Sequence, residues 1–249
     1  MLFSTGGGIT IREIEELQKI IDTHKKIVFF GGAGVSTESG IPVFRSQDGL
    51  YNLKYKYPPE QIISHTFFVN RPDEFYRFYK DKMLILDAKP NAAHEKLAEL
   101  EKAGKLLAVV TQNIDGLHTL AGSKMVYELH GSVHRNYCTK CGKFFGIEAI
   151  TDSTGVPTCE CGGTIKPDVV LYEEGLDHDV INGAVKAIAE CDMLIIAGTS
   201  MTVYPAAGLV RYFRGKYLVV ITRDPTSVDG QCDLVLHDKV GEVLDKIKV

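Results

Sequence analysis

Three features that this sequence lacks limit the classes of protein it can belong to. No apolar run in its 249 residues approaches the roughly 18 residues that a membrane-spanning helix needs. No charge of one sign dominates, because 28 basic residues stand against 32 acidic ones, and this balance argues against a nucleic-acid partner. Residues 1–8 contain neither the basic segment nor the apolar segment of a signal peptide. We therefore expect a cytoplasmic protein with no membrane or nucleic-acid partner.

The composition excludes further classes of chain. With 24 glycines and 9 prolines, the chain is neither collagen-like nor of low complexity. Its length corresponds to one or two domains of about 150 residues, and it is long enough to bury a core without covalent staples. Four of the six cysteines lie within 24 residues. In a large intracellular chain such a cluster indicates a metal site more often than disulfides.

Short, unbroken apolar runs predict the strands of a buried sheet. They occupy residues 26–30, 106–110, 193–197, 217–221 and, more weakly, 234–236. Unbroken rather than alternating runs are typical of a parallel sheet that is covered on both faces. Amphipathic stretches predict helices at residues 11–21, 92–103, 180–191, 205–214 and 240–248. Thr10 and Asn91 are the predicted N-caps of the first two helices. This alternation predicts an α/β fold with a doubly wound parallel sheet.

Two segments interrupt the alternation. Residues 46–87 are rich in aromatic residues and proline, with one helix predicted at 72–86. Residues 138–167 contain the clustered cysteines and few apolar runs. We expect both segments to be insertions that pack together as a smaller module.

A glycine-rich turn follows the first predicted strand. Gly32, Ala33 and Gly34 would let the backbone approach a pyrophosphate, and a helix predicted to start at residues 36–38 would direct free N–H groups at the anion. Thr37 replaces the third glycine of the dinucleotide-binding fingerprint, and no second strand with an acidic end follows. These departures disfavour a generic dehydrogenase. An ordinary tight strand-to-helix turn is the alternative interpretation.

Small and polar residues follow the other predicted strands, at the carboxyl ends where α/β sheets bind ligands. They are Gln112, Asn113 and Asp115 after the second strand, Gly198, Thr199 and Ser200 after the third, and Thr222 after the fourth. The first group could hold a ribose and a carboxamide. A plain Asn/Asp/Gly turn is an equal alternative for that group.

His130 is the candidate general base. It follows a short apolar segment and precedes Gly131, and histidine is the side chain best suited to accept a proton near pH 7. A hydrogen-bonded structural histidine is the alternative. His118 and His134 lie close to motifs, and the remaining five are interpreted as surface or capping residues. These five are His24, His65, His94, His178 and His237.

The clustered cysteines form two pairs, Cys138-x-x-Cys141 and Cys159-x-Cys161, with seventeen residues between them. Thiolates paired in this way can complete a tetrahedral Zn²⁺ site. Because no open coordination position is evident, we predict one structural zinc ion per chain. Redox-active thiols are the alternative.

In order along the chain, these motifs resemble those of the sirtuins, the NAD-dependent protein deacylases. The resemblance also includes Gly40-Ile41-Pro42, Phe44-Arg45 and Lys166-Pro167-Asp168-Val169-Val170. It extends from about residue 11 to residue 249, and the chain is similar to a bacterial member with a single catalytic module.

The resemblance implies a fold and a reaction. Residues 1–45, 88–132 and 168–249 would form a Rossmann-like part, and a helical insertion, 46–87, and a zinc-binding insertion, 133–167, would form a small domain. An acylated lysine and NAD would meet in the cleft between them, where the acyl oxygen attacks C1′ of the nicotinamide ribose and nicotinamide leaves. The products would be free lysine and O-acyl-ADP-ribose. The implied partners are therefore acyl-lysine proteins or peptides.

The resemblance also implies roles for individual residues. His130 matches the general base, and Val170 and Tyr172 match the acyl-lysine channel. The implied NAD-binding residues are Gly32, Ala33, Gly34, Thr37, Phe44, Arg45, Gln112, Asn113, Ile114, Asp115, Gly198, Thr199, Ser200, Thr222 and Val240.

Three positions depart from the family's usual pattern. Val43 stands where the family usually has Asp, Glu173 where it often has Gly, and Thr222 where it has Asn. The first change removes a carboxylate beside the nicotinamide pocket, the second alters the peptide-docking loop, and the third shortens a contact to the adenosine ribose. Because none of them touches His130, we expect activity to be retained.

Two other functions share most of these motifs. Mono-ADP-ribosyl transfer from NAD to protein would use the same site up to the loss of nicotinamide. A non-catalytic module that binds NAD or acyl-lysine would need the same pocket, but the intact His130 and Asn113-Ile114-Asp115 argue against it. Residues 54–57, Lys-Tyr-Lys-Tyr, form no clear arginine–tyrosine pair for an acyl carboxylate, so neutral acyl groups are favoured.

Overall fold

The computed structural model describes residues 9–43 and 55–249. Its strands, in chain order, are β1 (Ile27–Gly31), β2 (Leu106–Thr111), β3 (Val126–Glu128), β4 (Gly131–Cys138), β5 (Phe144–Phe145), β6 (Ile165–Val169), β7 (Met193–Ala197), β8 (Tyr217–Ile221) and β9 (Leu234–Leu236). The five predicted strands are confirmed as β1, β2, β7, β8 and β9. The short edge strand β3 is an addition to them.

Six of these strands form a parallel sheet in the order β3-β2-β1-β7-β8-β9. Counted along the chain within this sheet alone, the order is 3-2-1-4-5-6, which is the order of the doubly wound Rossmann fold. The direction of winding reverses between β1 and β7. Ligands of such folds bind at the carboxyl ends of the strands beside this reversal.

Both faces of the parallel sheet are buried, which explains the unbroken apolar runs. In β1, Ile27 and Phe29 pack into the core on one face, and Val28 and Phe30 pack into the core on the other. All four side chains are fully buried. Alternate residues of a strand point to opposite faces, so a strand that is covered twice needs an apolar residue at every position.

The helices, in chain order, are α1 (Ile11–Thr23), α2 (Pro59–Ile62), α3 (His65–Asn70), α4 (Pro72–Phe78), α5 (Ala92–Lys102), α6 (Leu117–Leu120), α7 (Glu148–Thr151), α8 (His178–Glu190) and α9 (Val240–Asp245). The first face of the sheet is covered by α1, α5 and α9, and the second by α8 and its neighbours. Both predicted N-caps are confirmed. The Oγ1 of Thr10 accepts from the Glu13 amide at 3.3 Å, and the Oδ1 of Asn91 accepts from the Ala93 amide at 2.9 Å.

Two predicted α-helices are 3₁₀ turns instead. After the glycine turn the chain makes two short 3₁₀ helices, Ala33–Val35 and Thr37–Ser39, and then Gly40 adopts a φ of 84°. Pro42 follows closely, and a proline disfavours the α conformation in the residue before it, so no α-helix continues here. The stretch predicted at 205–214 is a 3₁₀ helix, Ala206–Tyr212, which contains Gly208, a poor helix former.

The remaining elements pack together beside the parallel sheet. Strands β4, β5 and β6 form an antiparallel sheet in the order β5-β4-β6, and α2, α3, α4 and α7 lie against it. Their shared core includes Phe75 and Phe78 from one insertion and Ile150 and Ile165 from the other. The helix predicted at 72–86 is α4 followed by a π-helix, Tyr79–Met83.

The exact division into two domains stays a prediction. Two of its boundaries, after residues 132 and 167, fall inside β4 and β6. Among the helices of residues 9–43 and 55–249, none is long and apolar enough to cross a membrane.

Candidate active site

A cavity of about 570 Å³ opens at the carboxyl ends of the central strands, beside the reversal between β1 and β7. The structure brings together at this cavity all the described residues that the sequence assigned to NAD, the acyl-lysine or base catalysis. They are Gly32, Ala33, Gly34, Thr37, Gln112, Asn113, Ile114, Asp115, His130, Val170, Tyr172, Gly198, Thr199, Ser200, Thr222 and Val240. Phe44 and Arg45, which were also predicted to bind NAD, lie outside the described residues.

The turns after β1 and β7 touch each other backbone to backbone. The amide of Gly34 donates to the carbonyl of Gly198 at 2.8 Å. A Cβ on Gly34 would lie 2.7 Å from the Gly198 Cα, and Gly198 itself has a φ of 57°. Neither position tolerates a side chain, because the contact leaves no room for one. At these two positions the cavity is lined by backbone alone, which permits the close approach of a pyrophosphate.

A buried hydrogen-bond network fixes the polar residues after β2. The Oγ of Ser36 donates to Oδ2 of Asp115 at 2.7 Å and accepts from Nδ2 of Asn113 at 3.0 Å. The other carboxylate oxygen of Asp115 accepts from the Leu117 amide at 3.0 Å. Ser36 is 1% exposed. It holds the orientation of both side chains, a role that the sequence pattern did not indicate because Ser36 matched only a predicted helix start.

The His130 ring is held in one tautomer. Its Nδ1 lies 2.9 Å from the backbone carbonyl oxygen of Gln112, and a carbonyl oxygen only accepts, so Nδ1 carries the proton. The lone pair of the neutral ring is therefore on Nε2. Burial lowers the pKa of His130, although the bond to Gln112 favours the protonated ring. The ring is thus neutral at pH 7 and able to accept a proton at Nε2.

The lining of the cavity next to the smaller module is mostly aliphatic and is called its apolar end, although Lys82 also lines the cavity from the helical insertion. Ile63, Met83, Val133, Val169 and Leu171 line it. Of these residues only Val169 belongs to a sequence motif. Ile63, Met83 and Val133 come from the insertions and reach the cavity only through packing of distant segments. An apolar chain would be favourably buried here, whereas a charged one would lose hydration.

The four clustered cysteines form the candidate metal centre. Their sulfur atoms all lie within 4.8 Å of one another, with 3.4 Å between Cys138 and Cys161 and 3.8 Å between Cys141 and Cys159. Four sulfurs at about 2.3 Å from a zinc ion would lie about 3.8 Å apart in a tetrahedron. The amides of Cys141 and Lys140 donate to Cys138 Sγ, and together with the neighbouring thiols these bonds lower the pKa of the Cys138 thiol to about 6. The residues fit a structural zinc ion.

A family model described as the Sir2 family matches residues 32–205, which is more than half of the chain. The chain belongs to the Sir2 family.

Similar proteins cover nearly the whole of this Sir2 chain. An NAD-dependent protein deacetylase from Clostridium acetobutylicum is 58% identical over 243 residues, covering 96% of this chain and 99% of the relative. A protein of the same name from Clostridium perfringens is also 58% identical, covering 94% of this chain and 98% of the relative. A solved Sir2 structure with a p53 peptide and NAD+ has a TM-score of 0.82 at 38% identity, covering 93% of this chain and 95% of the other. A Sir2 structure bound to acetylated peptide has a TM-score of 0.82 at 37% identity, with the same coverage.

The Sir2 cavity has a polar end that the motifs identified only in part. Arg223, Asp224, Asp238 and Lys239 line it next to Thr222 and Val240. A hydrogen bond holds the start of α9 in place, because Oε2 of Glu38 accepts from the Gly241 amide at 2.7 Å. These charged residues follow strands β8 and β9, so their position after predicted strands was the signal that could have found them.

Two histidines of this Sir2 chain lie in the core and away from the cavity. His118 is 2% exposed, and His94 is fully buried with the two ring centroids 4.7 Å apart. His94 caps its own helix, since its Nδ1 accepts from the Asn91 amide at 3.1 Å. The interpretation of His94 as a capping residue is confirmed. Its burial is a feature that the sequence pattern did not indicate.

Proposed function

We propose that this Sir2 protein is an NAD-dependent protein-lysine deacylase that acts on acetyl-lysine and releases nicotinamide and O-acyl-ADP-ribose. The observation that carries the proposal is the position of His130, which holds a free Nε2 lone pair in the cavity that also contains the glycine turn and the apolar end. The relatives named NAD-dependent protein deacetylase support it, since they match this chain over nearly its full length.

The residues around the glycine turn fit NAD. The bare backbone at Gly34 and Gly198 suits the pyrophosphate, and we propose that Asn113 and Asp115 meet the nicotinamide and its ribose. Ser36 orients both of these side chains. When bound, NAD supplies the ribose carbon to which the acyl oxygen bonds and the nicotinamide that leaves. The site therefore needs accurate positioning and stabilisation of charge more than a strong nucleophile of its own.

The role of His130 follows from its tautomer. With Nδ1 held by the Gln112 carbonyl, Nε2 is free to take a proton from a ribose hydroxyl within the cavity. The lowered pKa keeps this nitrogen unprotonated at neutral pH. His130 is thus the proposed general base of the steps that follow release of nicotinamide.

The apolar end of the cavity fits the acyl-lysine. We propose that Val170 and Tyr172 flank the lysine stem and that the acyl group lies among Ile63, Met83 and Val133. These aliphatic side chains favour a neutral acyl group, because a carboxylate would have to be buried among them. A zinc ion bound by the four cysteines, none of which lines this cavity, would contribute stability and take no part in the reaction.

The free thiols support a cytoplasmic location. All six cysteines are unpaired by disulfides, and Cys191 and Cys232 are buried. We propose that the protein acts in the cytoplasm, where thiols stay reduced.

A mass-spectrometric assay tests the proposed function. Purified protein is incubated with NAD and a panel of peptides that differ only in the acyl group on one lysine. The expected result is loss of the acetyl mass from the peptide, with nicotinamide and O-acetyl-ADP-ribose formed in equal amounts. Labelled NAD with acylated and unacylated protein distinguishes the alternative reaction, because ADP-ribosyl transfer leaves the label on protein. Label on protein without deacylation would contradict the proposal.

A further inference from the structure

Glu173 adopts a backbone conformation that favours glycine. Its φ is 76°, and among the described residues other than glycine it shares a positive φ only with Met201. The amide of Glu174 donates to the Leu171 carbonyl at 3.0 Å, so Glu173 is the third residue of a four-residue turn. That position of a type II turn requires a positive φ. A side chain with a Cβ is strained there.

The Glu173 side chain makes one specific contact that a glycine could not make. Its Oε2 accepts from the backbone amide of Thr66 at 2.8 Å. Thr66 lies in the first turn of α3, where an amide has no partner within the helix. The pKa of Glu173 is lowered by hydrogen bonding to the Thr66 side chain and to this amide. The contact therefore joins the turn to the helical insertion through an amide that has no intrahelical acceptor.

The rest of the turn is held at the same place. Tyr172 exchanges backbone hydrogen bonds with the segment before α3, since its amide donates to the Ile63 carbonyl at 3.0 Å and its carbonyl accepts from the His65 amide at 2.9 Å. The Glu174 carboxylate accepts from Nδ1 of His65 at 2.8 Å. One side of the turn is thus fixed to residues 63–66, while Tyr172, Glu173 and Glu174 also line the cavity.

We propose that Glu173 is a positioning residue for the acyl-peptide, acting through its bond to the Thr66 amide. This role rests on the proposed deacylase function. The bond holds the turn 171–174 in the shape that presents Val170 and Tyr172 to the cavity before the peptide arrives. Because the turn is already ordered, less conformational entropy is lost when the peptide binds. The strain at Glu173 is offset by a contact that serves binding of the peptide.

The test compares Glu173→Gly with Glu173→Gln. Glycine is relaxed at this φ but removes the carboxylate, whereas glutamine keeps an acceptor oxygen at the same reach. We expect Glu173→Gly to raise the KM for an acetyl-lysine peptide roughly tenfold, which corresponds to about 1.4 kcal/mol. The KM for NAD and kcat stay within about twofold, because His130 and the glycine turn are untouched. We expect Glu173→Gln to recover most of the loss.

A second readout does not depend on activity. Hydrogen–deuterium exchange of the Thr66 amide, measured on the protein alone, should be slow in the wild type, faster in Glu173→Gly and slow again in Glu173→Gln. An active wild type whose Glu173→Gly variant keeps its peptide KM overturns the role of Glu173 alone. An equal rise in both KM values also overturns it. A wild type that deacylates no peptide overturns the proposed function and this role together.

Discussion

At the scale of single residues, the orientation of His130 determines what the site can do. Its Nδ1 is committed to the Gln112 carbonyl, so only Nε2 is available for chemistry. We expect His130→Ala to reduce deacylation by about 10²–10⁴-fold, the usual contribution of a positioned base. Exchange of nicotinamide, which needs only the earlier step, should fall less. Assays of both steps with an acetyl-lysine peptide and NAD measure this, and zinc content serves as the control for folding.

Near-wild-type deacylation by His130→Ala would place the base elsewhere. His118 also lies close to the motifs in sequence, but that ring is buried and does not line the cavity. Among the described residues that line the cavity, His130 is the only histidine.

The acid limb of the pH–rate profile is a separate prediction for the same ring. The base must be neutral, and burial lowers the pKa of His130 below the ordinary value of about 6.5. The neutral form thus persists to lower pH than for an exposed histidine. We expect kcat/KM to fall on acidification with a midpoint below about 6.5. The wild-type profile at saturating NAD measures the midpoint, and a midpoint above that value would contradict the assignment.

Val43 gives a prediction about the cofactor. It lines the cavity and is only partly buried, at the place where the family usually has an aspartate. Because the position keeps contact with water, a carboxylate there would lose little hydration. We expect Val43→Asp to lower the KM for NAD and leave the peptide KM unchanged. Val43→Asn is the matched variant without charge. If both variants keep the wild-type KM for NAD, the position tolerates either residue and the lost carboxylate has no effect.

At the scale of elements, the candidate zinc centre lies at one end of the small antiparallel sheet of β4, β5 and β6. Cys138 ends β4, and Cys159 and Cys161 precede β6, whose first residue pairs with Cys138, so a bound metal would join the two segments at one end of the antiparallel sheet. We expect about one zinc per chain, and we expect its removal by a chelator to unfold β4–β6 while the parallel sheet persists. Metal analysis and circular dichroism measure both effects.

A pair of cysteine variants provides the control for this prediction. Cys141→Ser removes one proposed ligand and should lose zinc. Cys191→Ala removes a buried thiol outside the cluster, whose pKa is raised to about 12 by burial, and should keep zinc. Four freely titrating thiols at the cluster positions of the folded protein would contradict a metal site.

The elements also show why some of the fold was predictable from sequence. The five strands were found because burial on both faces demands unbroken apolar runs. The helices α1 and α5 were found from their amphipathic pattern, and Thr10 and Asn91 marked where they begin. The 3₁₀ helix Ala206–Tyr212 was mistaken for an α-helix because its apolar pattern is similar over two turns. Ile63 and Val133 were missed as cavity residues because no local pattern reports which distant segments pack together.

At the scale of the whole molecule, two buried histidines link stability to pH. Burial lowers the pKa of His94 to about 4 and that of His118 to about 3, and the nearby Asp115 carboxylate offsets the effect on His94 only in part. Both ring nitrogens of His118 lack a hydrogen-bond partner within the described residues. The folded protein therefore holds both rings neutral, whereas the unfolded chain protonates them near pH 6.5.

The direction of the pH effect follows from proton binding. Between about pH 6.5 and pH 4 the unfolded state binds protons that the folded state does not, so the free energy of unfolding falls as the solution is acidified. At pH 5 the free energy of unfolding is lower than at pH 7 by about 2 kcal/mol for each ring. We expect His118→Leu to remove the contribution of one ring. Urea unfolding of both proteins at pH 7 and pH 5 measures the difference between the two losses. Protonation of the zinc-binding thiols destabilises both proteins equally and cancels in this comparison. If the free energy of unfolding falls equally in the wild type and the variant between pH 7 and pH 5, His118 is protonated in the folded state as readily as in the unfolded chain.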